Sequence, residues 1–526
     1  MENFGVGSWL QRRRPKSGNK IALISGEREL SYQEFADRSV RLANSLRDRG
    51  VAKGDRVAYL GENHPAFLET LFAAGMLGAI FVPLNTRLAP PEIQFQLQDC
   101  GALVLVHSLS LDVLASRGSN GTPVTGRIVV DDVSGNSAGA LGIAGDQDLR
   151  TVEDYEAVVA AGSAQFQDVS VRLEDGAMIL YTSGTTGRPK GALLTHGNVT
   201  WNCMNVIVDF DFASTDVALM ISPMFHVASL DMGVLPTLLK GGTVVLESKF
   251  DPKRTLKLIQ QHRATTISGV PTTFQMLCED PEWPGTDLSS LSKLTCGGSA
   301  VPMRVLEAYE LRGLRFSNGY GMTETAPGAT TLPADRSREK AGSSGLPHFF
   351  TDVRITGVDG IEASSESVGE IHIKGPNVIH QYWNRTDATA QAYTSDGWFR
   401  SGDLGYRDDD GFVFISDRLK DMIISGGENI YPAEVEQAIS ELPAVASVAV
   451  IGVPDEKWGE VPRAVVLLRD GGELTEEELR NHLNGKLARY KIPKSVVFVD
   501  EMPRTASGKI RKAELRQETA SHAGLV

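Results

Sequence analysis

The chain has 526 residues, a mass of 56.8 kDa and a net charge of −14 from 52 basic and 66 acidic side chains. This length predicts roughly two to four domains, and the acidic balance excludes a globally basic nucleic-acid binder. The longest nearly apolar run, Leu71–Leu84, is too short to cross a bilayer, and the first residues lack a secretory pattern. The cysteines lie far apart, which argues against a disulfide framework or a thiolate metal site. We expect a cytoplasmic enzyme.

Short apolar runs alternate with amphipathic stretches along most of the chain, which is typical of parallel strands buried between helices. Strands are predicted at Arg56–Leu60, Ala79–Pro83, Ala102–His107, Val217–Ser222, Thr243–Leu246 and Thr266–Ser268, and helices at Pro65–Leu77, Pro91–Gln98, Leu230–Leu239 and Pro252–His262. The segment Ser108–Gly145 is rich in Gly, Ser and Asp and is predicted to be a surface excursion.

The last hundred residues predict a separate small α+β module. Its predicted helices are Ala433–Glu441 and Glu476–Leu487, and its predicted strands are Val445–Gly452, Arg463–Leu468 and Ser495–Val499. Thr475 and Glu478 have the spacing of a capping box at the second helix start. The stretch Lys486–Arg516 holds nine basic residues against three acidic ones. That reversal of charge indicates either an anionic partner or a solvated basic face.

The segment Tyr181–Gly191 reads YTSGTTGRPKG and directly follows an apolar run. Gly184 and Gly187 allow a tight turn whose N–H groups point at a ligand. Neighbouring hydroxyls and the ammonium of Lys190 suit a polyphosphate. The glycine spacing differs from that of a Walker A loop, which disfavours a P-loop kinase. A phosphate loop is the favoured interpretation, and a polar surface turn is the alternative.

The segment Ser317–Thr325 reads SNGYGMTET. Tyr320 offers a flat ring between two glycines, where a purine could stack. Glu324 is a suitable oxygen ligand for magnesium, and Thr323 could donate to a phosphate. The alternative is a junction between a strand and a loop with Tyr320 in the core.

Two later segments carry further candidates. Asp403 in WFRSGDLGY and Arg418 in DRLKDMIISGGENIY could together hold ribose hydroxyls, although Asp403 could also be a turn residue. Lys509 follows Ser507-Gly508 in PRTASGKIRK, where a flexible loop could carry its ammonium into a cleft. Without that context it would be an ordinary surface lysine.

These motifs, in this order, identify a resemblance to the adenylate-forming superfamily of acyl-CoA synthetases, nonribosomal-peptide adenylation domains and luciferases. The chain looks most like bacterial fatty-acyl-CoA and 4-coumarate-type ligases, and the resemblance covers nearly its whole length. It implies an α/β fold with a large N-terminal domain, residues 1–419, built from two doubly wound subdomains and a distorted β-barrel. It also implies a hinge at Lys420 and a small α+β C-terminal domain, residues 421–526, that moves between the half-reactions.

The resemblance also implies roles for individual residues. ATP or AMP binding falls on Thr182, Ser183, Gly184, Thr185, Thr186, Lys190, Gly298, Ser299, Asn318, Gly319, Tyr320, Gly321, Thr323, Asp403 and Arg418. The catalytic residues that it implies are Lys509, Thr186, Glu324 and His226, and Glu324 is also the implied magnesium ligand. The acyl pocket falls on His226, Ala228, Ser229 and Gly298, and the thiol tunnel on Gly426, Gly427 and Trp458. His226 matches an aromatic gate, and its alternative role is that of a histidine in the pocket wall.

The implied reaction is an ATP-dependent, Mg²⁺-dependent ligation of a fatty or aryl acid to coenzyme A through an acyl-adenylate, with release of pyrophosphate. Ala228 stands where hydroxycinnamate ligases tend to carry tyrosine, which leaves room for an alkyl chain or another aryl acid. Ile492 stands where some relatives bind CoA with arginine. A carrier-protein phosphopantetheine, an amine or nitrite-dependent diazotisation is the alternative chemistry. A catalytically dead nucleotide-binding scaffold is disfavoured because Lys509 and Glu324 are retained.

The predicted partners are therefore the acid, ATP and CoA, with a carrier protein as the alternative acceptor. No nucleic-acid partner and no transmembrane segment are expected. Peripheral membrane contact is the alternative to a purely cytoplasmic location if the acid has a long chain.

Overall fold

The computed structural model describes residues 1–132, 151–182, 189–298, 301–357, 359–418, 421–425, 428–455, 458–484, 486–487, 489–505 and 509–522. The strands are β1 Ile21–Ser25, β2 Arg28–Ser31, β3 Arg56–Leu60, β4 Ile80–Leu84, β5 Val104–Ser108, β6 Gly126–Val130, β7 Thr151–Asp154, β8 Gly176–Thr182, β9 Lys190–Thr195, β10 Val217–Met220, β11 Thr243–Leu246, β12 Thr266–Gly269, β13 Lys293–Gly297, β14 Phe316–Gly321, β15 Gly328–Leu332, β16 Leu346–Pro347, β17 Asp352–Thr356, β18 Gly369–Lys374, β19 Gln381–Tyr382, β20 Phe399–Arg407, β21 Val413–Arg418, β22 Ile423–Ser425, β23 Glu428–Ile430, β24 Val445–Asp455, β25 Gly459–Leu468 and β26 Ser495–Val499.

The helices are α1 Trp9–Ser17, α2 Tyr32–Asp48, α3 Pro65–Leu77, α4 Pro90–Cys100, α5 Asp112–Ser119, α6 Tyr155–Ala161, α7 His196–Asp209, α8 Val227–Ser229, α9 Leu235–Lys240, α10 Pro252–His262, α11 Pro271–Glu279, α12 Met303–Glu310, α13 Thr386–Gln391, α14 Pro432–Ser440, α15 Glu476–Leu483 and α16 Lys512–His522. Among the described residues, no helix combines the length and the apolar character that a membrane span needs.

The chain forms two compact units. Unit 1 comprises Met1–Val353 and Ile373–Phe399, and unit 2 comprises Arg354–His372 and Arg400–Val526. The predicted hinge residue Lys420 lies outside the described residues, so the division into residues 1–419 and 421–526 stays a prediction.

Unit 1 contains two large sheets, and the first has the strand order β19-β9-β8-β4-β3-β5-β6-β7. Strands β3 to β8 pair in parallel, while β8 and β9 pair antiparallel. Every residue of β4 is buried, which explains its continuous apolar sequence. Helix α3 begins with Pro65 in its first turn and ends at Gly78 in a left-handed conformation, as the sequence predicts.

The second sheet of unit 1 has the order β16-β15-β14-β13-β12-β10-β11-β1-β2. Its interior strands from β1 to β14 run parallel, and β2, β15 and β16 are antiparallel additions at its two edges. An aromatic cluster of Phe274, Tyr309 and Phe316 fills the core beneath it, with ring centroids 4.7–5.8 Å apart. Both sheets are thus buried α/β layers of the kind that the alternating sequence predicts.

The predicted surface excursion at Ser108–Gly145 is wrong for its described part, which ends at residue 132. Helix α5 and strand β6 lie within it, and β6 pairs in parallel with β5 inside the first sheet. The pattern is obscured because Arg127 interrupts the apolar run, yet this side chain is nearly buried and forms an ion pair of 2.9 Å with Asp112. Residues 133–145 lie outside the described part of the chain.

Unit 2 holds a sheet of β22 to β26, in which β24 and β25 form a long antiparallel pair and β26 joins β25 in parallel. Helices α14 and α15 cover an apolar core that includes Val435, Val450 and Leu479. Thr475 and Glu478 form the predicted capping box, which is confirmed. The residues that precede β22 in the chain form a separate four-stranded sheet of order β17-β18-β20-β21.

Candidate active site

Strands β8 and β9 flank the predicted phosphate loop. Thr182, the last residue of β8, is the direct partner of Lys190, the first residue of β9. The predicted ligand residues between them, Ser183, Gly184, Thr185 and Thr186, lie outside the described residues. The pairing of Thr182 with Lys190 nevertheless holds the two residues that flank this segment side by side.

The SNGYGMTET segment ends strand β14 of the second sheet. A Cβ at Gly321 would lie 1.6 Å from the Pro327 carbonyl oxygen, so only glycine fits where the chain folds back. A single helical turn, Thr323–Thr325, then presents Glu324. Tyr320 is half-buried, so its ring does not belong to the core.

The two segments meet at the Glu324 carboxylate. Its Oε1 accepts hydrogen bonds from the Tyr382 hydroxyl at 2.9 Å and from the Thr182 hydroxyl at 3.4 Å. The Lys190 ammonium lies over the Tyr382 ring, 5.4 Å from its centroid. Thr182, Lys190, Glu324 and Tyr382 therefore form one constellation, which we call the Glu324 cluster.

Sequence reasoning did not find Tyr382. Strand β19 brings it into the cluster by pairing with β9, where Tyr382 is the partner of Ala192. Burial raises the pKa of Tyr382 above its ordinary value, and the Glu324 carboxylate raises it further. The hydroxyl therefore keeps its proton and donates to Glu324. The only hint in the sequence is an aromatic pair, Tyr382-Trp383, in an otherwise polar stretch.

The donor atoms of the Glu324 cluster fit a magnesium ion that is held mainly by its substrate. Magnesium prefers oxygen ligands and commonly takes one or two carboxylates together with phosphate oxygens. The cluster offers one carboxylate, from Glu324, and a hydroxyl, from Thr182. No group of three or more His, Cys, Asp or Glu side chains suited to a metal occurs in the described part of the chain, so a dedicated protein cage is absent there.

The two predicted adenine segments end adjacent parallel strands. Strands β13 and β14 place Gly297 directly beside Gly319, and Gly298 follows with a φ of +86° that favours glycine. Asn318 is buried, and its side-chain amide donates to the Ser343 carbonyl at 3.3 Å. Ser299 lies outside the described residues. Ligands of open α/β sheets bind beyond such carboxyl ends, so this position suits the prediction.

The predicted acyl-pocket segment has one accessible side. His226 is half-buried with its ring 4.7 Å from that of Phe225, and Ala228 is exposed. Ser229 is buried, so on this segment only His226 and Ala228 among the predicted pocket residues present accessible surface. The predicted helix Leu230–Leu239 is present but begins with a π-helical turn, Leu230–Val234, which passes into α9.

In unit 2, the two predicted ribose residues are paired. Strands β20 and β21 are antiparallel, and Asp403 is the direct backbone partner of Arg418. Asp403 is buried, and its backbone N–H donates to the Ser401 hydroxyl at 3.0 Å. The structure thus brings together two residues that are distant in the sequence motifs.

Lys509 is exposed in unit 2. The Thr505 N–H donates to the Lys509 carbonyl at 2.7 Å, and the Lys509 N–H donates to the Thr505 hydroxyl at 3.1 Å. These bonds close the loop that carries the lysine, and Arg504 and Ile510 bridge its base. Residues 506–508 lie outside the described residues.

Of the predicted thiol-tunnel residues, Trp458 is 43% exposed in the turn between β24 and β25. Its backbone N–H donates to Asp455 at 2.9 Å. Gly426 and Gly427 lie outside the described residues. Their neighbours Ser425 and Glu428 are partners in the β22–β23 hairpin.

The basic stretch Lys486–Arg516 is largely neutralised within unit 2. Its ion pairs are Lys486–Glu441, Lys491–Glu434, Arg511–Glu514, Lys512–Glu436 and Arg516–Asp421, at 2.6–2.8 Å. The charge reversal along the sequence therefore reflects folding partners as much as an anionic ligand, and the inference of an anionic partner from charge alone is weakened.

Comparison with known proteins identifies the family. Residues 10–383 match the AMP-binding enzyme family, and residues 434–509 match the AMP-binding enzyme C-terminal domain. The chain belongs to the AMP-binding enzyme family. The match confirms the adenylate-forming resemblance that the motifs indicate.

This AMP-binding enzyme is 49% identical over 517 residues to a feruloyl-CoA synthase of Amycolatopsis sp., covering 98% of this chain and 99% of the relative. It is 42% identical over 519 residues to an indoleacetate–CoA ligase of Aromatoleum aromaticum, covering 98% of both chains. The structure of O-succinylbenzoate coenzyme A synthetase from Bacillus subtilis, in complex with ATP and magnesium ion, superposes with a TM-score of 0.84 at 32% identity, covering 97% of this chain and 98% of that one. These likenesses confirm the predicted fold class.

Proposed function

We propose that this AMP-binding enzyme activates an aryl-substituted carboxylic acid with ATP and transfers the acyl group to coenzyme A. The class of reaction, acid–CoA ligation through an adenylate, is the one that the sequence predicts, and its relatives are named as CoA ligases and synthases. Ferulate and indoleacetate both carry an aromatic ring, so an aryl acid is favoured over a simple alkyl chain. The identity of 49% across nearly the whole chain favours a hydroxycinnamate.

The observation that carries this proposal is the Glu324 cluster. A carboxylate attacks a triphosphate poorly because both are anionic, so positive charge must be concentrated where the phosphates lie. Lys190 brings an ammonium to the phosphate-loop end of β9, and Glu324 and Thr182 bring oxygens suited to magnesium. When bound, magnesium supplies charge that neutralises phosphate oxygens. The chain's own part is to fix these groups at the edge of two rigid sheets.

The chemistry then divides into two steps. In the first, a carboxylate oxygen of the acid bonds to the α-phosphorus of ATP, the bond from that phosphorus to the bridging oxygen breaks, and pyrophosphate leaves. We assign Lys509 to this step, where its ammonium offsets the charge on the carboxylate and the α-phosphate. In the second, the CoA sulfur bonds to the acyl carbon, the bond from that carbon to the phosphate oxygen breaks so that AMP leaves, and the thiol proton passes to solvent.

We further propose that the enzyme divides functionally at Lys420, into residues 1–419 and 421–526. The C-terminal part supplies Lys509 to adenylation and the segment around Gly426, Gly427 and Trp458 to thioester formation. If the Lys509 loop leaves the active site when the segment around Gly426 enters it, the same site can carry out adenylation and then thioester formation.

The acid is proposed to lie along the accessible side of the segment that begins at His226. Ala228 is exposed there, and its small side chain leaves space for ring substituents. Hydroxycinnamate ligases tend to carry tyrosine where this chain has Ala228. We propose that a hydroxycinnamate-type acid still fits here, because the size of its ring substituents, rather than contact with a tyrosine side chain, selects the substrate.

The test is to measure AMP and pyrophosphate release from MgATP with a panel of acids, with and without CoA. The panel contains ferulate, 4-coumarate, cinnamate, benzoate, indoleacetate and fatty acids of increasing length, and products are identified by mass. We expect hydroxycinnamates to give the highest kcat/KM and a CoA thioester. Preference for fatty acids would overturn the aryl assignment, and an adenylate that CoA cannot discharge would overturn the CoA assignment.

Two variants connect this assay to the site. Glu324→Gln keeps the side-chain shape but removes the charge, and it should lower adenylation by about 10²-fold because one preorganised electrostatic group is lost. Glu310→Gln, on the surface helix α12, is the matched control and should leave the rate unchanged. Equal rates for the two variants would contradict the role of the Glu324 cluster.

A further inference from the structure

Tyr382 separates the two opposite charges of the Glu324 cluster. Its ring face lies under the Lys190 ammonium, 5.4 Å from ring centroid to Nζ, while its hydroxyl donates to Glu324 Oε1 at 2.9 Å. Among the described residues, Lys190 has no carboxylate within ion-pairing distance. The tyrosine thus contacts a cation with its ring face and an anion with its hydroxyl.

This separation has an energetic meaning. A lysine and a glutamate brought to the same cleft attract one another, and a direct ion pair would have to be broken before phosphates and a metal could bind. A cation over an aromatic ring and a hydrogen bond from a neutral hydroxyl are each weaker than a charged pair that is withdrawn from water. Both contacts with Tyr382 can therefore give way to a ligand at small cost.

We propose that Tyr382 is a positioning residue that keeps Lys190 and Glu324 apart, so that the lysine stays available to the triphosphate and the glutamate to its metal ion. The inference rests on the proposed function, because it takes Lys190 and Glu324 as the groups that meet MgATP. It adds a residue that none of the sequence motifs contains.

The surrounding backbone does not depend on the Tyr382 side chain. The Tyr382 N–H donates to the Thr389 hydroxyl at 3.0 Å, and the Trp383 N–H donates to the Gly191 carbonyl at 2.7 Å. Asp99 of helix α4 also holds this segment through Arg385 at 2.8 Å. Replacement of the ring or its hydroxyl should therefore leave the strand in place.

The experiment compares Tyr382→Phe and Tyr382→Leu with the wild-type enzyme. Tyr382→Phe keeps the ring under Lys190 and loses the bond to Glu324, so the magnesium concentration for half-maximal adenylation should rise about five- to tenfold. The KM for ATP at saturating magnesium should change by less than about twofold. Tyr382→Leu loses both contacts and should raise both constants, because Lys190 can then pair with Glu324.

A binding measurement makes the test independent of turnover. Calorimetric titration with α,β-methylene-ATP should show weaker binding for Tyr382→Phe only when magnesium is present, and for Tyr382→Leu in its presence and absence. Tyr32→Phe is the matched control, because the Tyr32 hydroxyl of helix α2 donates to the Gly242 carbonyl at 2.7 Å and takes no part in the Glu324 cluster. It should reproduce the wild-type dependence on magnesium.

Two results would overturn the inference. If Tyr382→Phe and Tyr32→Phe respond to magnesium alike, Tyr382 does not act through Glu324. If Tyr382→Leu binds the analogue more tightly, Lys190 gains from losing the ring. In either case, Glu324→Gln and Lys190→Ala still report on the proposed function, because their defects do not depend on Tyr382.

Discussion

The Glu324 cluster of unit 1 and the Lys509 loop of unit 2 present charge in different ways. In the cluster, Glu324 accepts hydrogen bonds from Thr182 and Tyr382, and the Tyr382 ring contacts the Lys190 ammonium. In the loop, the backbone bonds between Thr505 and Lys509 fix the base, and the lysine is exposed. The charges of Lys190 and Glu324, which are proposed to act whenever the nucleotide is bound, thus lie on or beside packed strands. The charge of Lys509, which is proposed for adenylation alone, lies on a short loop.

The largest effect expected from this contrast is that of Lys509→Ala. Adenylation should fall by at least about 10²–10³-fold, since one preorganised charge is lost from the reacting centre. Thioester formation from supplied acyl-adenylate should remain within about threefold of wild type, because that step does not use the lysine. Single-turnover measurement of each half-reaction checks this. Equal loss in both would show that the loop serves the whole cycle and would break the comparison.

Packing rigidity at the end of β14 can be tested with Gly321→Ala. A Cβ there would meet the Pro327 carbonyl oxygen at 1.6 Å, so the turn that presents Glu324 must shift. We expect the free energy of unfolding to fall by about 1–3 kcal/mol, together with a loss of adenylation. Gly285→Ala, where the added Cβ has no neighbour within 4 Å, is the control for denaturant unfolding. A neutral Gly321→Ala would mean that the sheet edge is softer than its contacts indicate.

The two units should also respond differently to acid. Burial lowers the pKa of His196 and of His107, both in unit 1, to about 4. The unfolded chain takes up these protons below about pH 6.5, so the stability that each neutral ring provides is complete above that pH and falls as the pH drops towards 4. The expected loss at pH 5 is roughly 2 kcal/mol for each histidine.

Glu370 in unit 2 loses its contribution to stability over a lower pH range. Burial alone would raise its pKa, but hydrogen bonds from His372 and Arg400 lower it to about 2. Its contribution is present above about pH 4.5 and is lost only as the pH falls towards 2.

Between pH 7 and pH 5 the histidines of unit 1 should therefore dominate the change in stability. Denaturant unfolding at the two pH values should show a smaller fall in the free energy of unfolding for His196→Gln than for wild type, and the same fall as wild type for the exposed His380→Gln. If the free energy of unfolding falls as much in His196→Gln as in wild type, the two units do not differ in their response to acid in this way.

The smallest effect concerns the basic stretch of unit 2. Lys491 is already paired with Glu434 at 2.7 Å, and Lys486 with Glu441 at 2.6 Å. Exposed pairs of this kind contribute little, and their charge is partly cancelled. Lys491→Ala and Lys486→Ala should each change the KM for CoA by less than about threefold. An increase of tenfold or more in steady-state assays would show that the stretch does bind the CoA phosphates.

The local sequence predicts a helix well where residues that favour the first and last turns mark its two ends. Helix α3 has its predicted bounds because Pro65 and Gly78 mark its ends. Helix α15 starts at its predicted cap but ends at Leu483 rather than Leu487, because Asn484 adopts an extended conformation. Strand β6 was missed because the pairing of Arg127 with Asp112 allows a charged residue in a buried strand.

By itself, the sequence determined the family, the fold class and the positions of Thr182, Lys190 and Glu324, because these depend on short motifs that carry their own turns and charges. Only the tertiary structure decided what lies between those charges. Tyr382 reaches the cluster through the pairing of β19 with β9, and Glu324 reaches Thr182 across the edges of two sheets. Contacts between strands so far apart in the chain depend on sheet order and register, which a single local pattern does not encode.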